Sequence, residues 1–259
     1  MSERTSAPRP RISVCMATYN GERFLRAQVE SILTQLGPRD ELVVVDDCST
    51  DGTVAMLRAF GDERIRIHPN SRNSGHPASF GRAIAIAVGE VILLADQDDT
   101  WVPGRVDALA GALRDPATAL VSSNSAYVDT VGDPIAFPVP PLRGGDSARR
   151  AVNIARIFRG TASYFGCAMA FRASFRRLVL PIPRYVEAHD LWIAMAANLA
   201  GVNRHLEEIT LRRRIHGGNA SVISRPLRKK LWARAKFSLA MLHLSLRLIT
   251  TSANKGKST

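Results

Sequence analysis

The chain has 259 residues, 46% hydrophobic and 22% charged, which is enough apolar material for one large domain with a buried core and excludes extended intrinsic disorder. Its net charge of +12 is uneven: the last acidic residue is Glu208, and the segment after it carries 12 of the 35 Lys and Arg, so residues 1–208 balance at 23 basic and 23 acidic. A neutral body with a basic tail argues against a generally basic nucleic-acid binder and for contact with an anionic surface.

Met1 to Arg11 lacks the apolar run of a signal peptide, and no stretch is as long as a membrane span, so a flexible N-terminus (1–11) and a cytoplasmic location are expected. Cys15, Cys48 and Cys167 are widely separated and lack metal-site spacing, which reads as isolated thiols rather than bridges. The apolar run Ile12–Met16 predicts a buried strand, followed by the turn Ala17-Thr18-Tyr19-Asn20-Gly21 and an amphipathic helix over Glu22–Gln35. Glu41–Val45 predicts a second strand, which ends in the polar turn Asp46 to Thr53 before a helix over Val54–Phe60. Arg64–His68 alternates like a third strand. A helix ending at Ala87 then leads into a strand over Glu90–Ala95.

That strand delivers the most informative segment, Asp96-Gln97-Asp98-Asp99. Clustered carboxylates repel one another unless a cation or hydrogen-bond donors offset them, and hard oxygen ligands suit Mg²⁺ or Mn²⁺. A solvated acidic turn capping the next helix is the alternative. Strands alternating with helices predict an α/β fold with a Rossmann-like, mostly parallel central sheet flanked by helices, and in such sheets ligands bind beyond the carboxyl ends of the strands. The turns at 17–20, 46–47 and 96–99 are therefore expected to share one pocket.

The signal weakens between Asp115 and Ala162, apart from a strand over Ala119–Ser123 and a Pro- and Gly-rich stretch over Gly132–Asp146 that reads as a loop. It returns at Phe165–Phe171. His189-Asp190-Leu191-Trp192 opens an apolar helix to about Ala200, and Arg212-Arg213-Arg214-Ile215-His216-Gly217-Gly218-Asn219 follows.

Taken together, Ser13–Asn20, Val45-Asp46-Asp47-Cys48-Ser49-Thr50-Asp51-Gly52-Thr53, Asp96–Pro103, Gly166-Cys167-Ala168-Met169, His189–Trp192 and His216–Asn219 resemble the family 2 inverting glycosyltransferases of GT-A fold, over Ile12 to Val222. Within that family, Phe80–Ile84 followed by Asp96–Pro103 resembles a bacterial branch described as rhamnosyltransferases. Only Cys48 departs from the second motif, where a small residue such as Gly is usual. The resemblance implies a nucleotide-binding and metal-binding half (12–103), an acceptor half (104–222) and a tail (223–259).

The resemblance also implies roles. Ala17, Thr18, Tyr19 and Asn20 form the nucleotide loop, with Tyr19 against the pyrimidine, and Asp47 accepts the base imide N–H unless it is only a helix cap. Asp96 lies near the ribose, and Asp98 ligates the metal. Asp190 is the catalytic base, or else an N-cap. His216 sits at the metal or the diphosphate. Asp99, Trp101 and His189 contact the acceptor, although Trp101 is also suited to packing. One arginine of 212–214 is a candidate for a phosphate oxygen, with a solvated strand edge expected for at least two of the three.

The tail from Arg225 to Lys236 carries six Lys or Arg, interleaved with or followed by Leu231, Trp232, Phe237, Leu239, Met241, Leu242, Leu244, Leu246, Leu248 and Ile249. It predicts a basic amphipathic helix that lies on an anionic membrane or packs on the body. The expected partners are a nucleotide-diphosphate sugar donor, favoured as dTDP-L-rhamnose with a UDP-hexose as the alternative, a saccharide or lipid-linked acceptor, and no nucleic acid. Two other readings fit less well. A nucleotidyltransferase would show a Gly-rich basic loop where Ala17–Gly21 stands, and a non-catalytic sugar-nucleotide binder would dispense with Asp98 or Asp190.

Overall fold

The computed structural model describes residues 9–217 and 227–255. The first eight residues, Gly218, Asn219 and Arg225 lie outside the described residues. In chain order the strands are β1 (Ile12–Thr18), β2 (Glu41–Asp46), β3 (Ile65–Pro69), β4 (Val91–Ala95), β5 (Thr100–Trp101), β6 (Leu120–Val128), β7 (Met169–Arg172) and β8 (Asn203–Arg214). The α-helices are α1 (Glu22–Leu33), α2 (Thr53–Ala59), α3 (His76–Ile86), α4 (Arg105–Ala112), α5 (Arg150–Arg159), α6 (Arg176–Val179), α7 (His189–Ala200) and α8 (Leu227–Lys255). The strands form one eight-stranded sheet in the order β3-β2-β1-β4-β7-β6-β8-β5.

The parallel expectation holds for β3-β2-β1-β4, where α1, α2 and α3 supply the crossovers that parallel neighbours require. Beyond β4 the sheet is mixed: β7 runs antiparallel to both β4 and β6, β5 runs antiparallel to β8, and β6 and β8 are parallel. Alternate residues of the central strands feed two cores. Cys15, Val43, Val45, Ile92 and Leu94 face α3 and α7, whereas Val14, Met16, Leu42, Val44 and Leu93 face α1 and α4. Burial on both faces explains why these strands read as continuous apolar runs.

At the N-terminal edge of the parallel strands, a polar knot ties four of them together. The Ser13 hydroxyl donates to Glu41 Oε1 at 2.6 Å, and the Gly89 N–H donates to the same hydroxyl oxygen at 2.7 Å. Glu41 also accepts the Val88 N–H at 2.8 Å and Arg66 Nη1 at 2.7 Å. Burial pushes the Glu41 carboxyl upward, but these donors outweigh it and hold it below its ordinary value. A depressed carboxylate adds stability above its unfolded pKa that is lost as pH falls through the lower folded one. Replacing Glu41 by Gln is expected to cost about 1–3 kcal/mol, which chemical denaturation near pH 7 would measure, and the gap from the parent should narrow below pH 4.5. Ligand affinity at the opposite edge should not change.

Candidate active site

Three strand ends meet at the opposite rim. β1 ends in Ala17-Thr18-Tyr19, β2 in Asp46-Asp47 and β4 in the acidic turn. Ala17, Thr18, Tyr19, Asp47, Asp96, Gln97 and Asp98 line one cavity of about 1060 Å³ together with Gly75, His76, His189, Asp190 and Arg213. The expected common pocket is therefore present.

Asp46 and Asp47 divide their work. Asp46 is buried and accepts Thr18 Oγ1 at 2.9 Å, Ser49 N at 3.0 Å and Ser49 Oγ at 2.6 Å, so it fixes the turn. Asp47 Oδ1 accepts Asn70 Nδ2 at 2.7 Å and Ser74 N at 2.8 Å, while Oδ2 accepts Gly75 N at 2.8 Å. Burial raises the Asp47 carboxyl, and these donors more than reverse it, leaving it below its ordinary value. The Ser79 side chain adds a further hydrogen bond to this carboxylate, which borders the cavity. Cys48 has φ 67°, in the left-handed region where Gly is easiest, which accounts for the residue usual at that motif position.

Tyr19 is half exposed, and its backbone is clamped reciprocally by Gln97: Tyr19 N donates to Gln97 Oε1 at 2.9 Å, and Gln97 Nε2 donates to Tyr19 O at 3.1 Å. Sequence reasoning passed over Gln97. Asn20 does not border the cavity. It has φ 48° and accepts Thr50 N through Oδ1 at 2.8 Å, joining the first two loops.

The acidic turn is held by β8. Arg214 N donates to Asp99 Oδ1 at 3.0 Å and Arg214 Nε to Asp98 O at 3.2 Å, and its Nη1 donates to Asp129 O at 2.9 Å. Arg213 is buried, stacks over the Phe165 ring at 3.9 Å and lines the cavity, whereas Arg212 is exposed. The expectation of at least two solvated arginines therefore gives way to one, because strand alternation turns Arg213 inward. Burial, followed by repulsion from Asp98, raises the Asp96 carboxyl. Burial and repulsion from Asp96 and Asp98 raise that of Asp99 well above its ordinary value.

Asp99 and Trp101, expected at the acceptor, are instead buried outside the cavity lining. The reason is packing: Trp101 N donates to Ser31 Oγ at 3.0 Å and its ring lies under Arg105 at 4.7 Å, while Asp99 carries the Arg214 contact.

His216 Nε2 lies 2.7 Å from Asp98 Oδ2. A carboxylate oxygen and an imidazole nitrogen at that separation fit adjacent positions around one cation at about 2.1 Å. A cation there would also relieve the repulsion that raises Asp96 and Asp99. The site thus fits the expected divalent metal.

Asp190 lies in the first turn of α7, where its Oδ1 accepts Leu191 N at 2.8 Å. Burial outweighs that bond and the nearby His76 and Arg213, raising the carboxyl above its ordinary value. Beside it, His189 is buried against Phe80, with ring centroids 4.1 Å apart and nearly parallel, and its Nδ1 lies 3.1 Å from His76 Nε2. Burial, and secondarily His76, pulls the His189 pKa down to about 3, so it is neutral. A proton on Nδ1 satisfies the His76 contact and leaves only an acceptor unpaired at Nε2, the less costly arrangement. His76 is a cavity residue that the sequence reading missed. Gly166 backs the pair: a Cβ there would come within 2.7 Å of His189 Nε2 and 3.6 Å of Asp190 Cβ.

Residues 13–178 match the model of Glycosyl transferase family 2. The chain belongs to this family. It is 37% identical over 191 residues to "Putative glycosyltransferase EpsE" of Bacillus subtilis (strain 168), covering 71% of this chain and 66% of that protein. It is 32% identical over 96 residues to "UDP-Glc:alpha-D-GlcNAc-diphosphoundecaprenol beta-1,3-glucosyltransferase WfgD" of Escherichia coli, covering 37% of this chain and 38% of that one. The matches thus span less than two thirds of these curated relatives. A crystal structure of S. aureus TarS 1-349 in complex with UDP-GlcNAc superposes with a TM-score of 0.68 at 19% identity, covering 93% of this chain and 73% of that one, and the shared fold is GT-A.

The raised carboxyl of Asp190 has a consequence for stability. A carboxyl whose folded pKa is raised destabilises the fold once pH exceeds its unfolded value. Asp190→Asn is therefore expected to match or exceed the parent in melting temperature at pH 7. Gly166→Ala should lower the melting temperature, since the His189 ring has to move.

Proposed function

We propose that this protein is an inverting, metal-dependent glycosyltransferase that moves a sugar from a nucleotide-diphosphate donor onto a saccharide or lipid-linked acceptor in cell-surface polysaccharide assembly. The observation that carries the reading is the lining of one cavity by Asp47, by Asp98 beside His216, and by Asp190 with a raised carboxyl.

In this reading the pyrimidine lies against Tyr19 and donates its imide N–H to Asp47 Oδ2, with Ala17, Thr18 and Asp96 bordering the nucleoside. Asp98 and His216 hold a Mg²⁺ or Mn²⁺ ion, which when bound neutralises charge on the leaving diphosphate. Asp190 takes the proton of the acceptor hydroxyl as that oxygen attacks the anomeric carbon. The bond to the diphosphate oxygen breaks on the opposite face, and its electron pair leaves with the nucleotide. A raised pKa makes Asp190 a stronger base than an exposed carboxylate, and activity should fall on acidification above the ordinary carboxylate range.

The donor favoured by the motif resemblance is dTDP-L-rhamnose. A UDP-hexose is the alternative, supported by the donor in the name of WfgD. A thermal-shift panel of dTDP, UDP, GDP and their sugars, each with Mn²⁺, Mg²⁺ or EDTA, tests the reading, because ligand at 100 times Kd stabilises by about 2.7 kcal/mol. Metal-dependent stabilisation by dTDP-rhamnose or by one UDP-sugar is expected. Absence of any nucleotide shift would favour a non-catalytic role.

The basic tail supplies the proposed site of attachment. One face of α8 packs on the body through Phe237, Ala240, Leu244 and Leu248, while Trp232, Leu239, Leu242, Leu246 and Ile249 are exposed. Their spacing of seven, three, four and three places them on one stripe opposite the packed face. Among the described residues no helix is long and apolar enough to cross a membrane. An apolar stripe in a basic helix suits the headgroup region of an anionic membrane, taken here as the cytoplasmic face of the plasma membrane. Leu242→Ser combined with Leu246→Ser should abolish co-sedimentation with phosphatidylglycerol vesicles and spare nucleotide binding; retained co-sedimentation would place the contact elsewhere.

A further inference from the structure

His76 and His189 form an imidazole pair beside Asp190 that takes no part in the reaction as proposed above. His76 opens α3 directly after Gly75, which has φ 83° and donates its N–H to Asp47 Oδ2 at 2.8 Å, so the loop held by Asp47 also sets where His76 stands. His76 is exposed and lines the cavity. His189, by contrast, is 2% exposed, stacked on Phe80 and backed by Gly166. Its Nδ1 lies 3.1 Å from His76 Nε2, the one hydrogen bond of its side chain among the described residues, and its own Nε2 has no partner there.

Burying an imidazole with one nitrogen unpaired costs stability. An apolar side chain would fill the same space without that cost, so what the polar ring adds is the contact to His76. The two rings cross at 81° with centroids 4.8 Å apart, and His76 also meets Phe80 edge to face at 5.9 Å. The exposed ring is thus held by the two buried ones. The pair also fixes a tautomer. His189 Nδ1–H donates to His76 Nε2, so neutral His76 carries its own proton on Nδ1. No described residue accepts that N–H.

His76 lies within electrostatic reach of both Asp96 and Asp190. In the donor reading Asp96 borders the nucleoside and Asp190 takes the proton of the attacking hydroxyl, so what passes between them is the transferred sugar. We propose that His76 reads this sugar, its Nδ1–H donating to one sugar oxygen, and that His189 is the positioning residue that holds His76 in that orientation. The assignment rests on the glycosyltransferase reading and names the residue by which a sugar nucleotide is told from a bare nucleoside diphosphate. A sugar that covers this donor without accepting from it leaves the N–H unpaired, which is how the contact discriminates.

Calorimetry on the full chain, with Mn²⁺ and without acceptor, tests the assignment. The probes are dTDP beside dTDP-L-rhamnose and UDP beside UDP-glucose, and the pair that the parent binds more tightly is used. His76→Ala is expected to weaken the sugar nucleotide by about tenfold or more and to leave the nucleoside diphosphate unchanged. His76→Asn, whose amide nitrogen reaches the Nδ1 position, should recover much of that loss, whereas His76→Gln, whose amide falls at the Nε2 position, should not. His189→Leu should weaken the sugar nucleotide selectively, and His189→Asn, which keeps an N–H at the Nδ1 position, should restore it even though both variants lose the Phe80 stack and melt lower. A purely structural His189 would instead lose affinity in step with melting temperature. Equal weakening of diphosphate and sugar nucleotide in His76→Ala, unchanged affinity for both, or no difference between the Asn and Gln variants would overturn the assignment and leave the donor site standing. Unchanged donor affinity with a raised KM for the acceptor would move His76 to the acceptor and overturn it equally. A parent that binds no nucleotide would overturn the donor reading and this assignment together.

Discussion

The organisation of the site depends on how the acidic turn after β4 is held. Three carboxylates in four residues repel one another, and burial makes that repulsion costly. The turn is stabilised from the far side of the sheet by β8, where Arg213 and Arg214 are consecutive residues with opposite assignments. Arg214 fastens the turn through its own N–H and guanidinium, and Arg213 enters the cavity beside Asp96 and Asp99. β5 pairs with β8 at Thr100 with Arg212 and Trp101 with Leu211. The two halves of the sheet are thus joined at the point where charge is densest, and neither half alone forms the cavity.

Much of this was legible in sequence because the parallel half announces itself. Apolar runs at Ile12–Met16, Glu41–Val45 and Glu90–Ala95 each stop at a polar turn, and a parallel sheet with helical crossovers brings such turns to one rim. Asp47 was assigned to the base by resemblance alone and Asp46 had no role, because both occupy one turn and only three-dimensional donors, at Asn70, Ser74 and Gly75 for Asp47, distinguish them. Asp99 and Trp101 were misplaced for a related reason. Adjacency to Asp98 suggested the cavity, but β5 turns the chain back under α1 within two residues. The segment 115–162 hid α5, which is amphipathic but only ten residues long and follows a Pro- and Gly-rich stretch without a helix cap, and β8 hid behind its arginines. Alternation of Leu211, Arg212 and Arg213 was the available clue, since a period of two puts every second arginine inside. His76 and Gln97 carried no local signal: their roles come from contacts with residues 113 and 78 positions away.

The C-terminal helix was read as either membrane-bound or packed on the body, and the structure accommodates both. A helix of 29 residues with one buried face and one exposed apolar stripe has capacity for a second apolar environment. The packed face does more than fasten the helix. Arg247 donates to Leu178 O at 3.0 Å and Pro181 O at 2.8 Å, and His243 Nδ1 lies 3.1 Å from the Tyr185 hydroxyl. Both contacts reach the segment leading to His189 and Asp190. Whatever seats α8 therefore bears mechanically on the loop that presents the proposed base.

The two edges of the parallel sheet are in opposite electrostatic states, and this separates stability from function. At the N-terminal edge, Glu41 is buried but surrounded by donors from three segments, and its carboxyl is depressed: the charge there is satisfied by the fold itself. At the C-terminal edge, Asp99 is buried and Asp96 and Asp190 are partly buried, with too few donors, and their carboxyls are raised; Asp99 Oδ2 has no partner among the described residues. A sheet optimised only for stability would treat both edges alike. The deficit at one edge is a deficit of positive charge, and it lies around the cavity rather than beneath it. Filling it requires something from outside the chain that brings cationic charge or donors, which is what a metal ion and a hydroxyl-bearing substrate supply.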